Sequence, residues 1–196
     1  MTKIGSLCVY CGSRSGADGR YEAAAVSLGR RLAKEGIEII YGGSAHGLMG
    51  AVANAALQSG GRVVGILPGG LASREKAHDS LTEMVVVGSM HERKALMEAR
   101  SDGFVALSGG LGTLEELCET LTWSQLGIHQ KPVGILNIAG FYDPFLSFLD
   151  QAMEQGFMDP EHRELLLVES DPEALLDRMR DFEWTLKKVW LDRSEL

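Results

Sequence analysis

Short apolar runs alternate with helical segments along almost the whole of this chain. Each run has the length of a buried parallel strand, and each helical segment repeats its apolar residues at helical spacing. The predicted strands are residues 4–10, 37–41, 62–67, 83–87, 104–107, 132–137 and 165–168. The predicted helices are residues 20–35, a segment ending at residue 59, residues 89–100, a segment starting near residue 112, residues 142–155 and a last one that follows Asp171.

This alternation predicts the fold class. Strands connected by helices of roughly ten or more residues form right-handed βαβ units, which build a mainly parallel sheet with helices on both faces. The sequence contains no linker, repeat or low-complexity segment. We therefore expect one doubly wound, Rossmann-like α/β domain over residues 1–181. Residues 182–196 are expected to form a C-terminal tail that either packs on the domain or is partly loose.

The charge balance narrows the classes of partner. The chain of 196 residues has 27 acidic and 19 basic residues, which gives a formal net charge of −8. Broad binding to nucleic acid or to an anionic membrane needs a basic surface, so we expect neither partner. No apolar run is long enough to span a bilayer, and the first residues lack the pattern of a signal peptide. We therefore expect a cytoplasmic protein.

The stretch after the predicted strand 104–107 has the form of an anion site. Gly109, Gly110 and Gly112 form a turn that leads into a helix. The first N–H groups of a helix have no intrahelical partner and carry partial positive charge, and glycine lets a ligand approach the backbone closely. The same pattern also occurs as a plain connection in α/β proteins. Along this helix, Thr113, Glu116 and Thr120 are expected to form a polar stripe that looks out over the strand ends.

The sequence lacks the motifs of several well-known enzyme and nucleotide-binding classes. The sequence has no dinucleotide G-x-G-x-x-G after its first strand, no P-loop, no zinc-protease motif and no nucleophile elbow. No cluster of ligands has metal spacing, so we expect no catalytic metal and no cofactor. Cys8 and Cys11 form a C-x-x-C, but Cys8 lies within a predicted strand rather than at a helix start. Both cysteines are therefore better explained as small buried hydrophobes than as a redox pair.

Three segments should converge at the carboxyl edge of the sheet, where open α/β sheets bind ligands. They are residues 42–50, residues 90–94 and residues 108–116. Arg93 lies in the second segment. Its guanidinium is always positively charged and has several N–H donors that can bind a phosphate or an electron-rich base. A single arginine on a helix is more commonly an exposed residue, so this role depends on the convergence of the three segments.

These segments resemble those of the LOG ("lonely guy") family, once widely labelled lysine decarboxylases. Residues 108–116, Ser-Gly-Gly-Leu-Gly-Thr-Leu-Glu-Glu, are similar to the family motif P-G-G-x-G-T-x-x-E. Residues 90–94, 42–50, 122–127 and 140–144 also resemble family segments, and the similarity runs from Ile4 to about Met179.

The resemblance implies an N-glycosidase of class EC 3.2.2, a cytokinin riboside 5′-monophosphate phosphoribohydrolase. Such enzymes cleave N6-substituted AMP, and often AMP, into free base and ribose 5-phosphate. The resemblance also implies a homodimer and assigns catalysis to Arg93 and Glu116. The substrate contacts that it implies are Glu75, Lys94, Gly109, Gly110, Leu111, Gly112, Thr113, Leu114 and Glu115.

Two positions depart from the family pattern, and two alternatives stay open. Ser108 replaces the motif's proline, and Ser44 replaces a third glycine, where a side chain would be strained if the position needs positive φ. A non-catalytic nucleotide or molybdenum-cofactor carrier of the same superfamily is one alternative. A pyridoxal-phosphate decarboxylase is the other, with Lys94 as the single candidate for the Schiff-base lysine.

Overall fold

The computed structural model describes residues 3–72 and 77–186, and the side chains of residues 71 and 72 are not described. Seven strands lie within this part of the chain. They are β1 (Ser6–Tyr10), β2 (Glu38–Tyr41), β3 (Val63–Pro68), β4 (Glu83–Val87), β5 (Phe104–Ala106), β6 (Val133–Leu136) and β7 (Leu166–Glu169). The α-helices of the same part are α1 (Gly19–Lys34), α2 (Gly47–Gln58), α3 (Gly69–Ala72), α4 (Met90–Ala99), α5 (Leu111–Leu126), α6 (Asp143–Glu154), α7 (Pro160–Arg163) and α8 (Pro172–Arg180).

The strands form one sheet in the order β4-β3-β2-β1-β5-β6-β7, and every pairing is parallel. The predicted doubly wound α/β fold is therefore confirmed. The chain runs outward from β1 through β2 and β3 to β4, and then returns to β5 on the other side of β1. The strand order thus reverses between β1 and β5, and the carboxyl ends of these two strands form the crevice where such sheets bind ligands.

Each face of the sheet is covered by a separate apolar layer. On one face, Leu28 of α1, Val52 of α2 and Leu176 of α8 pack against the strands. On the other face, Met97 of α4 and Leu117 of α5 do the same. All six residues of β3 are buried, as expected for a central strand with helices on both sides. The two layers hold α2, α4 and α5 around the crevice.

The helix ends follow the capping chemistry of the sequence. Asp18 caps α1 by accepting a hydrogen bond from the Arg20 N–H at 2.9 Å, and Ser89 caps α4 through the Glu92 N–H at 3.1 Å. Asp171 caps α8 in the same way. In contrast, α2 and α5 begin without a side-chain cap from any described residue, and both starts lie beside the crevice. The first N–H groups of α5 are therefore available to other acceptors. In α2, the N–H groups of Leu48 and Met49 donate instead to the Gly12 carbonyl, at 3.0 and 3.4 Å.

The predicted elements are confirmed with small shifts at their ends, and β4 has the predicted bounds. Three one-turn helices fall where the sequence predicts loops. These are α3, α7 and a 3-10 turn at Ile138–Gly140. A single turn is too short to repeat an apolar spacing, so periodicity gives no signal for it.

The beginning of the C-terminal tail packs on the domain. The indole Nε1 of Trp184 donates to the Ser124 carbonyl at 3.2 Å, and Leu186 is buried. Residues 187–196 lie outside the described part, so the division at residue 181 stays a prediction. Among the described helices, none combines the length and the apolar character that a membrane span needs.

Candidate active site

The glycine turn between β5 and α5 leaves the N-terminus of α5 accessible. Gly110 is the N-cap, and its carbonyl accepts the first intrahelical bond, from the Leu114 N–H at 3.0 Å. The N–H groups of Leu111, Gly112 and Thr113 precede this bond and have no intrahelical acceptor. A Cβ added at Gly110 or Gly112 would meet nothing within 4 Å. The geometry therefore fits an anion seated on the start of α5.

Gly109 has a different role in the same turn. A Cβ added there would lie 2.1 Å from Thr113 Oγ1 and 3.0 Å from the Gly12 N–H nitrogen. Thr113 is buried, and the Gly12 N–H donates to the Ser108 carbonyl at 3.0 Å. The absence of a side chain at Gly109 thus lets the turn pack against its own helix and against the loop after β1.

Arg93 and Glu116 form a buried pair across the crevice. Arg93 Nη2 lies 3.5 Å from Glu116 Oε1, and the two side chains are 10% and 11% exposed. Arg93 Nη1 contacts the Met90 sulfur at 3.8 Å, while the buried Arg93 Nε has no hydrogen-bond partner among the described residues. A charge-assisted bond is usually about 2.7–2.9 Å long. Both groups therefore keep hydrogen-bonding capacity for a ligand.

Gly42, which follows β2, makes room for the arginine. A Cβ added at Gly42 would lie 2.3 Å from Arg93 Nη2 and 3.1 Å from the sulfur of Met49. The guanidinium therefore occupies space that a side chain at position 42 would fill. The sequence predicts that segments 42–50 and 90–94 converge, but it gives no signal that Gly42 itself leaves space for the Arg93 guanidinium.

The pair lies in a cavity of about 270 Å³, which we call the switch-point cavity. Its lining comes from the ends of β1 and β2 and from α2, α4 and α5. The lining residues are Val9, Cys11, Gly12, Ser13, Gly42, Met49, Arg93, Gly110, Leu111, Gly112, Thr113 and Glu116. The structure thus brings the two predicted catalytic residues together with four of the predicted substrate contacts.

Burial changes the acidity of Glu116. Desolvation raises the pKa of this carboxyl from an ordinary 4.5 to about 7, although the charge of Arg93 opposes the increase. The negative charges of Glu115 and Glu119 add to it, and Lys94 opposes it. A carboxyl with a pKa near neutrality can both accept and release a proton at physiological pH, which suits general acid–base chemistry.

The other predicted contacts lie elsewhere. Lys94 Nζ is 2.5 Å from Glu115 Oε1 and 2.9 Å from Glu119 Oε1, so these three residues join α4 to α5. Leu114 packs against the apolar layer of its face. Gly109 lines a neighbouring cavity together with Gly110. Glu75 lies outside the described residues.

The predicted polar stripe on α5 is only partly correct. Thr113 and Glu116 line the switch-point cavity, but Thr120 is buried below it. Thr120 Oγ1 donates to the Glu116 carbonyl at 2.8 Å and lies 3.0 Å from the Tyr10 hydroxyl. Because the one proton of Thr120 is used in the first bond, Tyr10 donates in the second. The expectation that Thr120 faces outward is wrong, because Tyr10 supplies a partner inside the core.

The serine at position 44 fits its turn without backbone strain. Positive φ values in this turn occur at Gly43 (82°) and Gly47 (57°), whereas Ala139 is the one non-glycine residue of the described part with positive φ. Ser44 Oγ accepts from the His46 N–H at 3.3 Å. The replacement of a glycine by Ser44 therefore leaves the turn intact.

Cys8 and Cys11 are buried and free, and burial raises the pKa of both thiols above their usual range. Neutral thiols behave as small hydrophobes, which confirms their predicted role. Of the described residues, Asp159, Glu161 and His162 have potential metal-ligating atoms within 4.8 Å of one another. This group lies at α7 and lines neither cavity, and exposed acidic groups of this kind are common without an ion.

Known proteins resemble this chain over most of its length. A family model described as "Possible lysine decarboxylase" matches residues 49–179. The cytokinin riboside 5′-monophosphate phosphoribohydrolase LOG of Oryza sativa subsp. japonica is 46% identical over 189 residues, which cover 95% of this chain and 78% of the rice protein. An Arabidopsis thaliana protein of the same name, LOG1, is 43% identical over 193 residues, which cover 98% of this chain and 91% of that protein.

Solved structures share the architecture at lower identity. The molybdenum cofactor carrier protein of Chlamydomonas reinhardtii has a TM-score of 0.68 and 21% identity, covering 91% of this chain and 98% of its own. The molybdenum cofactor binding protein of Rippkaea orientalis has a TM-score of 0.67 and 23% identity, and the match covers 92% of this chain and 98% of that protein. Similarity at this level of identity supports the fold alone.

Proposed function

This chain belongs to the LOG family of cytokinin riboside 5′-monophosphate phosphoribohydrolases, and we propose that it hydrolyses the N-glycosidic bond of N6-substituted AMP and of AMP. The products are the free base and ribose 5-phosphate. The observation that carries this proposal is the buried Arg93–Glu116 pair beside the uncapped start of α5.

The phosphate of the substrate would be bound at the start of α5. The free N–H groups of Leu111, Gly112 and Thr113 are hydrogen-bond donors, and the helix dipole favours negative charge there. A phosphate at this position brings the ribose toward Glu116, which lies about one helical turn further along α5. The glycosidic bond then lies within reach of the carboxylate and the guanidinium.

Glu116 and Arg93 would act on opposite charges of the transition state. When the C1′–N9 bond breaks, its electrons move to the purine and positive charge develops on the ribose. The Glu116 carboxylate stabilises this cation and accepts a proton from the water that bonds to C1′. This proton is then transferred to the purine, directly or through solvent, so that the neutral base leaves. Arg93 stabilises the negative charge of the departing base or of the phosphate. Both groups act from a desolvated position, where such electrostatic effects are strongest.

The proposal is tested with AMP and N6-isopentenyl-AMP as substrates. Purified protein is incubated with each nucleotide, and free base and ribose 5-phosphate are measured by chromatography. Equal amounts of base and sugar phosphate are expected. If the nucleotides bind but no base appears, the hydrolase proposal fails.

That negative result would support the alternative, a non-catalytic nucleotide or molybdenum-cofactor carrier of the same fold. The similarity to carrier proteins is confined to 21–23% identity, whereas the relatives named as phosphoribohydrolases are 43–46% identical. The Arg93–Glu116 pair also favours catalysis, because a carrier does not need a carboxyl that titrates near neutrality.

A pyridoxal-phosphate decarboxylase is disfavoured by the surroundings of Lys94. A Schiff-base lysine is activated by a lowered pKa. Burial opposes the charge of Lys94, but hydrogen bonds from its ammonium group to Glu115 and Glu119 outweigh that effect and raise its pKa. This lysine is therefore held in its protonated, non-nucleophilic form.

We further infer that the protein is a homodimer in the cytoplasm. Val86, Met90 and Leu111 expose 63%, 39% and 86% of their surfaces at the edge of the sheet where the switch-point cavity opens. Exposed apolar side chains at one edge suit an interface. Light scattering after gel filtration tests the dimer.

The cytoplasmic location agrees with three free cysteines and is tested by cell fractionation.

A further inference from the structure

A second cavity lies beside the switch-point cavity, and the proposed catalytic residues do not line it. Its volume is about 380 Å³, within the roughly 300–1,000 Å³ of small-molecule pockets. We call it the loop cavity, because residues 12–16, the loop after β1, form one wall. Tyr21 of α1, Leu48 of α2 and Phe141 after the 3-10 turn form much of the remainder.

The aromatic wall is fixed by its own contacts. The rings of Tyr21 and Phe141 meet edge to face, with centroids 5.6 Å apart. A Cβ added at Gly16 would lie 2.9 Å from the Tyr21 ring, so the loop packs directly on that ring. The buried Tyr142 donates to the Leu107 carbonyl at 2.7 Å, which anchors the segment that carries Phe141. The wall is therefore held in place before any ligand binds.

The two cavities are adjacent and share part of their lining. Gly12, Ser13 and Gly110 line both of them. The Gly12 backbone is held between the two glycine turns, because its N–H donates to the Ser108 carbonyl and its carbonyl accepts from the Leu48 N–H at 3.0 Å. Glycine backbone without side chains forms most of this boundary, and a Cβ at Gly110 would meet nothing within 4 Å. A ligand that begins at the start of α5 can therefore extend into either cavity.

The chemistry of the wall selects an apolar, planar group. Among the described residues that line the loop cavity, Arg14 is the one charged side chain, and it is exposed. Ser108 Oγ is buried in the wall without a hydrogen-bond partner among the described residues. The rings of Tyr21 and Phe141 suit an aromatic heterocycle and an aliphatic substituent.

We propose that the loop cavity binds an adenine base with an apolar N6 substituent, and that Phe141 is a specificity-determining residue of this site. The proposal rests on the proposed function, which supplies nucleotides of this class. The bound base has two sources, either the reacting nucleotide itself or a separate molecule of released base. Their recognition by the wall is the same.

The test compares Phe141→Ala with Phe148→Ala. Phe148 is 62% exposed on α6 and lines neither cavity, so it controls for the loss of a surface phenylalanine. We expect Phe141→Ala to lower kcat/KM for N6-isopentenyl-AMP by roughly tenfold or more, and for AMP by clearly less, since lost apolar contacts in a pocket discriminate by about that factor. Phe141→Leu should restore much of the loss. Equal effects on the two nucleotides, or no effect, would overturn the proposal.

Binding of free isopentenyladenine separates this proposal from the proposed function. Calorimetric titration should detect binding to the unaltered protein and to Phe148→Ala, and weaker binding to Phe141→Ala, even if no nucleotide is hydrolysed. Binding that is equal in all three proteins would contradict the loop-cavity site. Competitive inhibition of AMP hydrolysis by the free base would identify the reacting nucleotide as the source of the bound base. Noncompetitive inhibition would identify a separate molecule.

Discussion

The guanidinium of Arg93 and the carboxyl of Glu116 approach within 3.5 Å while both side chains are about nine-tenths buried. Residues 93 and 116 come from different helices, and α4 and α5 bring them together over the carboxyl ends of the central strands. Buried ion pairs contribute little net stability, because desolvation offsets their attraction. A pair of this kind at the ligand-binding edge of an open sheet is therefore better explained by chemistry than by folding.

Replacement of Glu116 by glutamine should abolish most of the turnover. The amide keeps the size of the side chain but cannot accept a proton or carry negative charge. A positioned acid or base contributes roughly 10²–10⁴ in rate, so we expect kcat for AMP to fall by at least that lower factor. Circular dichroism should show an unchanged fold. Full turnover in a folded Glu116→Gln protein would remove this residue from the mechanism.

Glu116 should also make the free energy of unfolding depend on pH. Its pKa is about 7 in the folded protein and near 4.5 in the unfolded chain, so the folded state binds more protons between these values. The stabilisation is therefore complete below pH 4.5 and is lost as the pH rises to about 7, which amounts to about 3 kcal/mol. Urea unfolding of the unaltered protein and of Glu116→Gln should diverge by this amount across that range. A constant difference between the two proteins would contradict the raised pKa.

Gly42→Ala should impair activity through Arg93. The added Cβ would lie 2.3 Å from Arg93 Nη2, so the guanidinium must move. A displacement of about 1 Å in a catalytic group can reduce the rate roughly 10²-fold. Gly19→Ala is the matched control, because its Cβ would meet nothing within 4 Å. Steady-state kinetics should show a large loss of kcat/KM for Gly42→Ala and none for Gly19→Ala; similar kinetics in both variants would argue against this role of Gly42.

Alanine substitutions at two glycines of the α5 turn should have different effects, one on the stability of the fold and the other on substrate binding. A Cβ at Gly112 has free space, so Gly112→Ala should leave the free energy of unfolding unchanged or slightly higher, while the methyl group obstructs the phosphate and raises KM. A Cβ at Gly109 would lie 2.1 Å from Thr113 Oγ1, so Gly109→Ala should lower stability by roughly 1–3 kcal/mol. Thermal unfolding and KM measurements on both variants check this contrast. An unchanged KM in Gly112→Ala would show that the anion does not bind at the start of α5.

The sequence predicts the architecture well because the relevant signals are local. Apolar runs such as 104–107 and the amphipathic pattern of α1 identify strands and helices, and the rules of βαβ connection then bring Arg93 and Glu116 to the same edge. The space that Gly42 leaves for Arg93 and the bond from Tyr10 to Thr120 depend on side chains far apart in the chain. Local spacing does not encode such pairs. For the same reason, the sequence alone does not indicate that Lys94 is already paired within the protein.

The last prediction concerns Lys94, for which sequence and structure suggest different roles. The structure pairs it with Glu115 and Glu119 near Glu116, and its charge lowers the pKa of Glu116 while the charge of Glu115 raises it. If activity requires the Glu116 carboxylate, kcat/KM rises with pH as this group ionises. Lys94→Met should then move that rise to higher pH, and Glu115→Gln should move it to lower pH.

A substrate contact by Lys94 would have a different kinetic signature. Loss of a positive charge that binds the phosphate would raise KM for AMP and leave the pH of the rise unchanged. Glu115→Gln serves as the matched variant, because it disrupts the same ion pair from the other side while leaving the lysine in place. Opposite displacements of the two pH profiles would identify Lys94 as a residue that tunes Glu116 rather than one that holds the substrate. A higher KM in Lys94→Met with both profiles unmoved would instead favour the role that the family resemblance implies.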